Sequence, residues 1–262
     1  MRLIQIDAFT SLPFGGNPAA VCLLDRDVND GWLQRVAMEM NLPETAFLRA
    51  RNNGSWSLRW FTPTVEVDLC GHATLASAHA LWEEGILRED ETARFHTRSG
   101  LLTAARVDSL IELNFPATPA TEVEPPQGIA EAIGARPRFV GQNGTDFLIE
   151  VESAEVVARL RPRLDLIAQL PARGVIVTAA AMRSGIDFVS RFFAPQSGID
   201  EDPATGSAHC TLAPFWAPRL GKTSFHALQI SPRGGELHVA LDGDRVRLGG
   251  NAVTILRGEL VV

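Results

Sequence analysis

The sequence predicts an α/β protein, α+β in arrangement, built from two similar halves that each wrap strands around one buried helix. A stretch beginning at Arg59 is echoed by one beginning at Arg191, about half of the 262-residue chain later. Each stretch leads into an Ala-rich, weakly charged run, and a helix that is apolar on nearly all faces is a buried helix. Much of the remainder consists of short runs rich in Val, Ile and Phe, which are typical of strands.

The repeat has a definite register. The first copy reads RWFTP at 59–63 with Asp68 after it, and the second reads RFFAP at 191–195 with Asp200 after it. Residue 191 follows residue 59 by 132 positions, and residue 200 follows residue 68 by the same interval. Self-similarity at a long fixed period indicates repeated structural units.

The boundary between the halves is predicted in a proline-rich stretch, because prolines at this density disfavour a continuous helix or a central strand. The prolines are residues 116, 119, 125, 126 and 137. We therefore expect an N-terminal half at 1–118, carrying Glu44 and the first central helix, and a C-terminal half at 119–262, although the last strand could cross back. Predicted strands lie at 3–9, 20–24, 57–60, 110–114, 147–151, 175–179, 187–193 and 237–241. Predicted helices lie at 31–40, 73–84, 129–133, around 156–158, and at 206–216.

Composition excludes several function classes. The net charge is −7 and the 24 basic residues are scattered, so no cluster predicts nucleic-acid binding. No apolar run approaches the roughly 18 residues that a membrane helix needs, and the N-terminus reads as a strand rather than a secretory signal, so we expect a cytoplasmic protein. Cys22, Cys70 and Cys210 form no CxxC pair, and the six histidines form no HxxxH or HxH pair, so no metal is expected. The glycine-rich segments lack dinucleotide and phosphate-loop motifs.

The N-terminal turns of the two central helices are candidate binding elements. They carry Gly71, His72, Ala73 and Thr74 in one half, and Thr205, Gly206 and Ser207 in the other. Helix N-termini present unpaired N–H groups with partial positive charge, and glycine lets a ligand approach the backbone closely. Two such ends facing each other would bind a carboxylate. The alternative is ordinary helix capping by Thr and Ser.

Three titratable residues are candidates for proton transfer. Glu44 precedes an apolar, strand-like run, and apolar surroundings disfavour an ionised carboxylate, which makes it a better base. Asp202 lies just before the second central helix and His72 lies at the start of the first. The alternatives are a solvated loop glutamate, an aspartate that complements the helix dipole, and a structural histidine. His79 and His209 are interpreted as structural residues within the helices.

Several segments together resemble the phenazine-biosynthesis PhzF-like family. They are FGGNPAAV at 14–21, NLPETAF at 41–47, LCGHAT at 69–74, DEDPATGSAH at 200–209, QISPRGG at 229–235 and VRLGG at 246–250. The resemblance covers nearly the whole chain in the same order. It implies a diaminopimelate-epimerase-like fold of two pseudo-symmetric halves, each a strand-rich barrel around a central helix, with the active site between them.

The resemblance also implies an activity. The founding member of the family isomerises trans-2,3-dihydro-3-hydroxyanthranilate by moving a proton, without metal or organic cofactor. Its catalytic glutamate corresponds to Glu44, its other active-site groups to His72, Asp202 and Ser207, and its backbone contacts to Gly71 and Gly206. Family members are commonly homodimers.

Two other functions remain open on this fold. One is an epimerase or racemase of an amino or hydroxy acid, and the other is a non-catalytic protein that binds a small acid. The epimerase relatives use two cysteines; Cys70 matches the first, whereas the second is expected near Pro203, which cannot serve. This disfavours a two-thiol mechanism, so an isomerase that uses Glu44 on a small carboxylic acid is the preferred function.

Overall fold

The computed structural model describes residues 1–181 and 184–261, and these form two compact units. The first unit comprises Met1–Phe115 with Leu248–Val262, and the second comprises Pro116–Arg247. The boundary therefore lies three residues before the predicted one, and the last segment belongs to the first unit. The physical reason is strand pairing: β18 (Ala252–Glu259) lies antiparallel to β1 (Arg2–Ala8). No helix in the described part of the chain is long and apolar enough to cross a membrane.

The first unit is a mixed sheet around one helix. Its elements after β1 are β2 (Asn17–Leu24), α1 (Asp30–Met40), β3 (Glu44–Ala50), β4 (Trp56–Phe61), β5 (Glu66–Val67), α2 (Gly71–Glu83), β6 (Ala93–Thr97), β7 (Gly100–Val107) and β8 (Leu110–Pro116), and β18 closes it. Strand β1 pairs antiparallel with β2, β2 runs parallel to β3, and β3 pairs antiparallel with β4. Strand β4 pairs antiparallel with β5 and parallel with β6. The central helix α2 packs against β1, β2 and β3, and most of its residues are buried.

The second unit repeats this plan. Its elements are β9 (Thr121–Glu122), α3 (Ile129–Ile133), β10 (Phe139–Gln142), β11 (Asp146–Glu150), α4 (Ala154–Arg159), α5 (Leu164–Ile167), β12 (Gly174–Ala180), β13 (Phe188–Ala194), a 3₁₀ turn (Pro195–Ser197), β14 (Ile199–Asp202), α6 (Gly206–Leu220), β15 (Ser224–Gln229), β16 (Gly235–Asp242) and β17 (Arg245–Gly250), which contains the boundary. Strands β10 to β13 pair antiparallel, parallel and antiparallel in turn. Strand β13 pairs antiparallel with β14 and parallel with β15. This order of pairings is the same as that of β1 to β6, so the duplicated architecture is confirmed.

Each copy of the sequence repeat holds the same ion pair. Arg59 on β4 forms two charged hydrogen bonds to Glu66, at 2.7 and 2.6 Å, and Arg191 on β13 forms two to Glu201, at 2.6 and 2.7 Å. Both guanidinium groups also lie over the ring of the phenylalanine two residues further along, at 5.1 and 5.0 Å from its centroid. The repeated arginine and aromatic residues therefore have a common structural role at the base of each hairpin.

The register of the repeat changes within these hairpins. The arginines are 132 residues apart, whereas their glutamate partners, and the first residues of α2 and α6, are 135 apart because the second hairpin is three residues longer. Asp68 and Asp200 are therefore not structural counterparts, although the sequence repeat had aligned them.

Most predicted elements are present with slightly different ends. All eight predicted strands and all five predicted helices overlap observed elements, and α6 continues four residues beyond the predicted end at 216. The predicted ranges did not include strands β5, β6, β7, β9, β10, β14, β15, β17 and β18 or helix α5, and β3 was anticipated only as an apolar, strand-like run after Glu44. Apolar side chains of α3, α4 and α5 cover one face of the second unit's sheet and form a core with Ile149, Val177 and Phe193.

Candidate active site

Glu44 is the first residue of β3 and is almost fully buried. Helix α1 ends at Asn41, which adopts a left-handed conformation (φ 50°) and whose N–H donates to Ala37 O at 3.1 Å. This cap turns the chain sharply, so that the strand starts only three residues later. Glu44 then lies beside Ala19 of the parallel strand β2, and only 8% of the residue is exposed. The loop glutamate anticipated as an alternative is therefore excluded as a description of this residue.

His72 lies directly against this carboxylate. Its Nε2 is 3.0 Å from Glu44 Oε2, and the side-chain amide of Asn17 donates to Nδ1 at 3.1 Å. With Nδ1 accepting, Nε2 carries the proton that faces Glu44. Both side chains are about nine-tenths buried, so the pair is held in a medium that strengthens its attraction.

Charge and burial determine which of these groups is ionised. Burial lowers the pKa of His72, but the neighbouring Cys70 and the Glu44 carboxylate outweigh it and raise that pKa well above 6.5. Burial, reinforced by the Glu44 charge, raises the pKa of the Cys70 thiol to about 11. The Cys70 sulfur lies 3.5 Å from His72 Nδ1, so the imidazole lies between a carboxylate and a thiol.

The second unit holds a polar cluster at the corresponding end of α6. Asp202 ends β14 and is 7% exposed, and its carboxylate accepts a hydrogen bond from the Thr205 hydroxyl. The Gln229 side chain connects the cluster: its Oε1 accepts from Thr205 N at 2.9 Å, and its Nε2 donates to Asp202 O at 2.6 Å. Gln229 was not among the predicted site residues, although it begins the family-like QISPRGG segment.

Arg173 is a further residue that the sequence analysis missed. Its Nε and Nη2 donate to the two carboxylate oxygens of the buried Asp146, at 2.9 and 2.5 Å, and Nη2 also donates to Ser207 Oγ at 3.2 Å. The side chain is still 44% exposed, and Nη1 has no hydrogen-bond partner among the described residues. Burial opposes its charge, but Asp146 outweighs burial and raises the pKa of Arg173. No local motif marks this residue, because Asp146 and Ser207 are distant in sequence.

The remaining predicted residues occupy the expected helix ends. Gly71 and Ala73 lie in the first turn of α2, after the N-cap Cys70, and Gly206 opens α6 after the N-cap Thr205. Neither N-cap side chain makes a capping hydrogen bond to its helix. Cys70 and Thr205 therefore do not act as ordinary side-chain caps, which weakens the simple capping interpretation.

The repeat allows the start of α2 to be compared with the start of α6, and the start of β3 with the start of β12. Cys70 and Thr205 are both N-caps, so the counterpart of Cys70 is Thr205 rather than a residue near Pro203. The position expected for the second cysteine of the epimerase relatives is therefore corrected from near Pro203 to Thr205, because the second hairpin is longer. A threonine cannot supply a thiol either. Glu44 begins β3, whereas Gly174 begins β12 at the equivalent place and has no side chain. At these positions the first unit carries a carboxylate and an imidazole, whereas the second carries hydroxyl groups and a guanidinium.

The other histidines and cysteines of the central helices are part of the core. His209 is fully buried, its Nδ1 donates to Thr205 O at 2.9 Å, and its ring stacks on Phe188 at 6.0 Å. His79 lies 3.3 Å from Glu83 one turn along α2. Cys210 on α6 and Cys22 on β2 are buried free thiols.

One group in the site has donor atoms that a metal could use. Glu44, Cys70 and His72 place a carboxylate oxygen, a sulfur and an imidazole nitrogen within 4.8 Å of one another. These are the donor types that zinc prefers. The sequence-based expectation of no catalytic metal therefore stays a prediction, and chelation tests it directly.

Comparisons with known proteins identify the family of the chain. The family model described as phenazine biosynthesis-like protein matches residues 6–258. The chain belongs to this family. An uncharacterized isomerase of Halalkalibacterium halodurans is 50% identical over 258 residues, which cover 98% of this chain and 97% of the relative. A crystal structure of a PhzF-family phenazine biosynthesis protein from Enterococcus faecalis matches with a TM-score of 0.95 at 38% identity, covering 100% of this chain and 99% of that one.

More distant structures share the fold alone. A probable proline racemase from Agrobacterium radiobacter matches with a TM-score of 0.66 at 15% identity, covering 100% of this chain and 93% of that one. The fold is thus the epimerase-like fold that the sequence predicted. Its membership of the phenazine biosynthesis-like family, together with its isomerase relatives, makes this chain an isomerase.

Proposed function

We propose that this isomerase moves a proton on a small carboxylic acid without a cofactor, and that Glu44 carries the proton. The observation that carries the proposal is the buried pair of Glu44 and His72, at 3.0 Å. A fixed hydrogen-bond donor beside the Glu44 carboxylate holds its oxygen in place, and a positioned carboxylate can act as a general base.

The proposed reaction uses one carrier twice. Glu44 takes a proton from an acidic carbon, and the electron pair left behind spreads over the conjugated system of the substrate. The resulting carboxylic acid then returns the proton to another carbon, so the substrate is isomerised and the enzyme regenerated. His72 keeps its proton and its position throughout, because Asn17 holds the opposite ring nitrogen. General acid–base catalysis of this kind contributes about a hundred- to ten-thousand-fold.

The second unit is proposed to bind the substrate's charged and polar groups in the same reaction. Ser207 and Arg173 together offer an O–H and a guanidinium N–H to a carboxylate, and Thr205 and Gly206 offer backbone N–H groups at the start of α6. Asp202 accepts from a substrate hydroxyl or amino group, or exchanges a proton with it. Gly71 and Ala73 offer the equivalent backbone groups of α2.

The chemistry points to a substrate class. We propose trans-2,3-dihydro-3-hydroxyanthranilate or a similar unsaturated small acid as substrate, and a cytoplasmic homodimer as the working form. The residues above supply a base and anion contacts, and these are what an unsaturated acid with a weakly acidic carbon requires.

The decisive experiment follows turnover in deuterium oxide by NMR. Purified protein is incubated with trans-2,3-dihydro-3-hydroxyanthranilate and with a panel of small unsaturated carboxylic acids. Glu44→Gln keeps the shape and removes the basicity, so we expect turnover to fall by at least about a hundred-fold. Glu39→Gln, an exposed position on α1, is the matched control and should behave as wild type. Glu44→Gln with near-wild-type turnover would overturn the proposal, and loss of turnover on chelation would overturn its cofactor-free form.

The alternatives give different results in the same experiment. An epimerase incorporates deuterium at the carbon that it deprotonates and inverts that centre, whereas the isomerase labels a different carbon. The un-ionised Cys70 and the threonine at its repeat position weigh against a two-thiol epimerase. A non-catalytic binding protein would retain its ligand unchanged and unlabelled after long incubation.

A further inference from the structure

Two strands of the second unit bring together three metal-binding side chains that are not part of the site described above. His226 on β15 lies directly opposite His238 on β16, and Glu236 lies two residues before His238. Side chains two residues apart on a strand share a face, so all three lie on one face of the hairpin. One donor atom of each lies within 4.8 Å of the others, and the two imidazole rings stack with centroids 4.5 Å apart.

The orientation of His226 is that of a metal ligand. Its Nδ1 donates to the backbone carbonyl of Gly185 at 2.8 Å, so in a neutral imidazole Nε2 is the nitrogen with the free lone pair. That Nε2 lies 2.6 Å from Glu236 Oε1. A lone pair and a carboxylate oxygen at this distance repel each other unless a cation lies between them. The cation is either a proton or a metal ion, and ligating histidines characteristically donate their other ring N–H to a carbonyl or carboxylate group.

We propose that His226, Glu236 and His238 bind one zinc ion, with water completing the coordination. Two imidazoles and a carboxylate are common zinc ligands, at about 2.0–2.2 Å from the ion. Donor atoms at these distances lie about 3.3 Å apart in a tetrahedral site. Glu236 must move away from His226, and His238 must approach. All three side chains are partly or fully exposed and can rotate that far without disturbing the core.

Zinc at this position would connect β15 to β16 through side chains. The same hairpin carries Gln229, whose side chain holds Asp202 and Thr205 at the start of α6. Metal binding would therefore stabilise the element that supports the polar cluster, without placing the metal among the residues proposed for chemistry.

The sequence did not reveal this group because its spacing follows strand pairing. The histidines are twelve positions apart (226 and 238), which matches no local zinc motif. Only the antiparallel register of β15 and β16 places them side by side.

The test is isothermal titration of the full chain, freed of metal by chelation, with zinc chloride at pH 7.5, together with thermal unfolding. We expect one zinc per chain with a dissociation constant of about 10 µM or below, and a higher Tm in zinc. His226→Asn and His238→Asn should each weaken binding at least ten-fold and abolish the Tm increase. His96→Asn, outside the hairpin, is the matched control.

A second variant distinguishes zinc binding by the two strand histidines and Glu236 from zinc binding by the group that contains Glu44, Cys70 and His72. Cys70→Ser removes a donor from the Glu44 group, and it should leave the zinc titration unchanged. Binding only at millimolar zinc, or zinc affinity lost in Cys70→Ser and retained in His238→Asn, would overturn the proposal. Neither outcome bears on proton transfer by Glu44, which is measured separately on the substrate.

Discussion

Two histidines in the first turns of the central helices respond to burial in opposite ways. His72 is pushed above its ordinary pKa because a carboxylate lies against it, whereas burial without such a partner lowers the pKa of His209 to about 4. His209 Nδ1 donates to the Thr205 carbonyl, and the ring stacks on Phe188. The pKa of a buried histidine is therefore raised in one copy of the repeat and lowered in the other.

His209 should make the protein sensitive to acid. Its folded pKa of about 4 lies below the ordinary 6.5, so between these values the unfolded chain binds the proton and the folded chain does not. The free energy of unfolding is therefore unaffected by protonation of His209 above pH 6.5. It falls by at most about 3 kcal/mol as the pH drops toward about 4. Urea denaturation from pH 7 to pH 4 measures it. His209→Gln should flatten this part of the profile, and the partly exposed His96→Gln should not; parallel profiles for His209→Gln and wild type would contradict the assignment.

The sequence predicted which residues belong to the candidate site better than it predicted which of them are in contact. Glu44 and His72 were both predicted as candidates, and the structure places them 3.0 Å apart because β3 begins beside α2. Arg173 was not predicted, since its role depends on Asp146, which lies 27 positions away and only becomes its neighbour through the parallel pairing of β11 with β12. Contacts across parallel strands leave no local pattern in the sequence.

At the scale of elements, the loop before α6 is supported by close backbone packing. A Cβ atom on Gly235, the first residue of β16, would lie 2.5 Å from the Cβ of Ala204. Ala204 immediately precedes the N-cap Thr205, and an alanine methyl cannot rotate away. The glycine at this place is therefore required by the close approach of two chain segments, and the RGG of the QISPRGG segment has a physical explanation.

Gly235→Ala should consequently destabilise the protein by about 1–3 kcal/mol, the usual cost of overpacking. Gly31→Ala is the matched control, because its added Cβ would meet only ordinary contacts at 3.4 Å and beyond in the first turn of α1. That control should be neutral or stabilise the protein by about 0.4–1 kcal/mol. Urea denaturation of both variants at one pH gives the comparison, and equal stabilities would show that the loop moves aside at no cost.

Elements with strong local patterns were predicted and those defined by pairing were not. The central helices follow from their alanine content and lack of charge, and α3 was predicted at its observed ends, 129–133. The two-residue strands β5 and β9 carry no periodicity that could reveal them. Helix α6 was predicted to end at 216, but it continues through Pro218 to Leu220, because tertiary packing holds the helix despite its prolines.

At the scale of the whole molecule, duplication accounts for the fold, and divergence accounts for the candidate site. Both units keep the hairpin ion pair and the central helix, yet Glu44 is matched by Gly174 and His72 by Ser207. The two units therefore differ at one strand position and at one helix position, and each carries a different side-chain chemistry there. The half-length repeat in the sequence predicted the common plan, but the three-residue difference in hairpin length concealed these correspondences.

The last strand should be essential to the first unit although it lies at the far end of the chain. Strand β18 pairs with β1 along its whole length, and Leu260 N donates to Met1 O at 2.9 Å. A chain ending at Asn251 would leave one edge of β1 unpaired and exposed, which favours local opening and aggregation. Hydrogen exchange followed by mass spectrometry should show faster exchange in β1, while β11 and β12 of the second unit stay protected. A chain ending at Leu260 keeps β18 and the hydrogen bond to Met1, and it should match wild type. Unchanged exchange in β1 of the shorter chain would refute the assignment of residues 248–261 to the first unit.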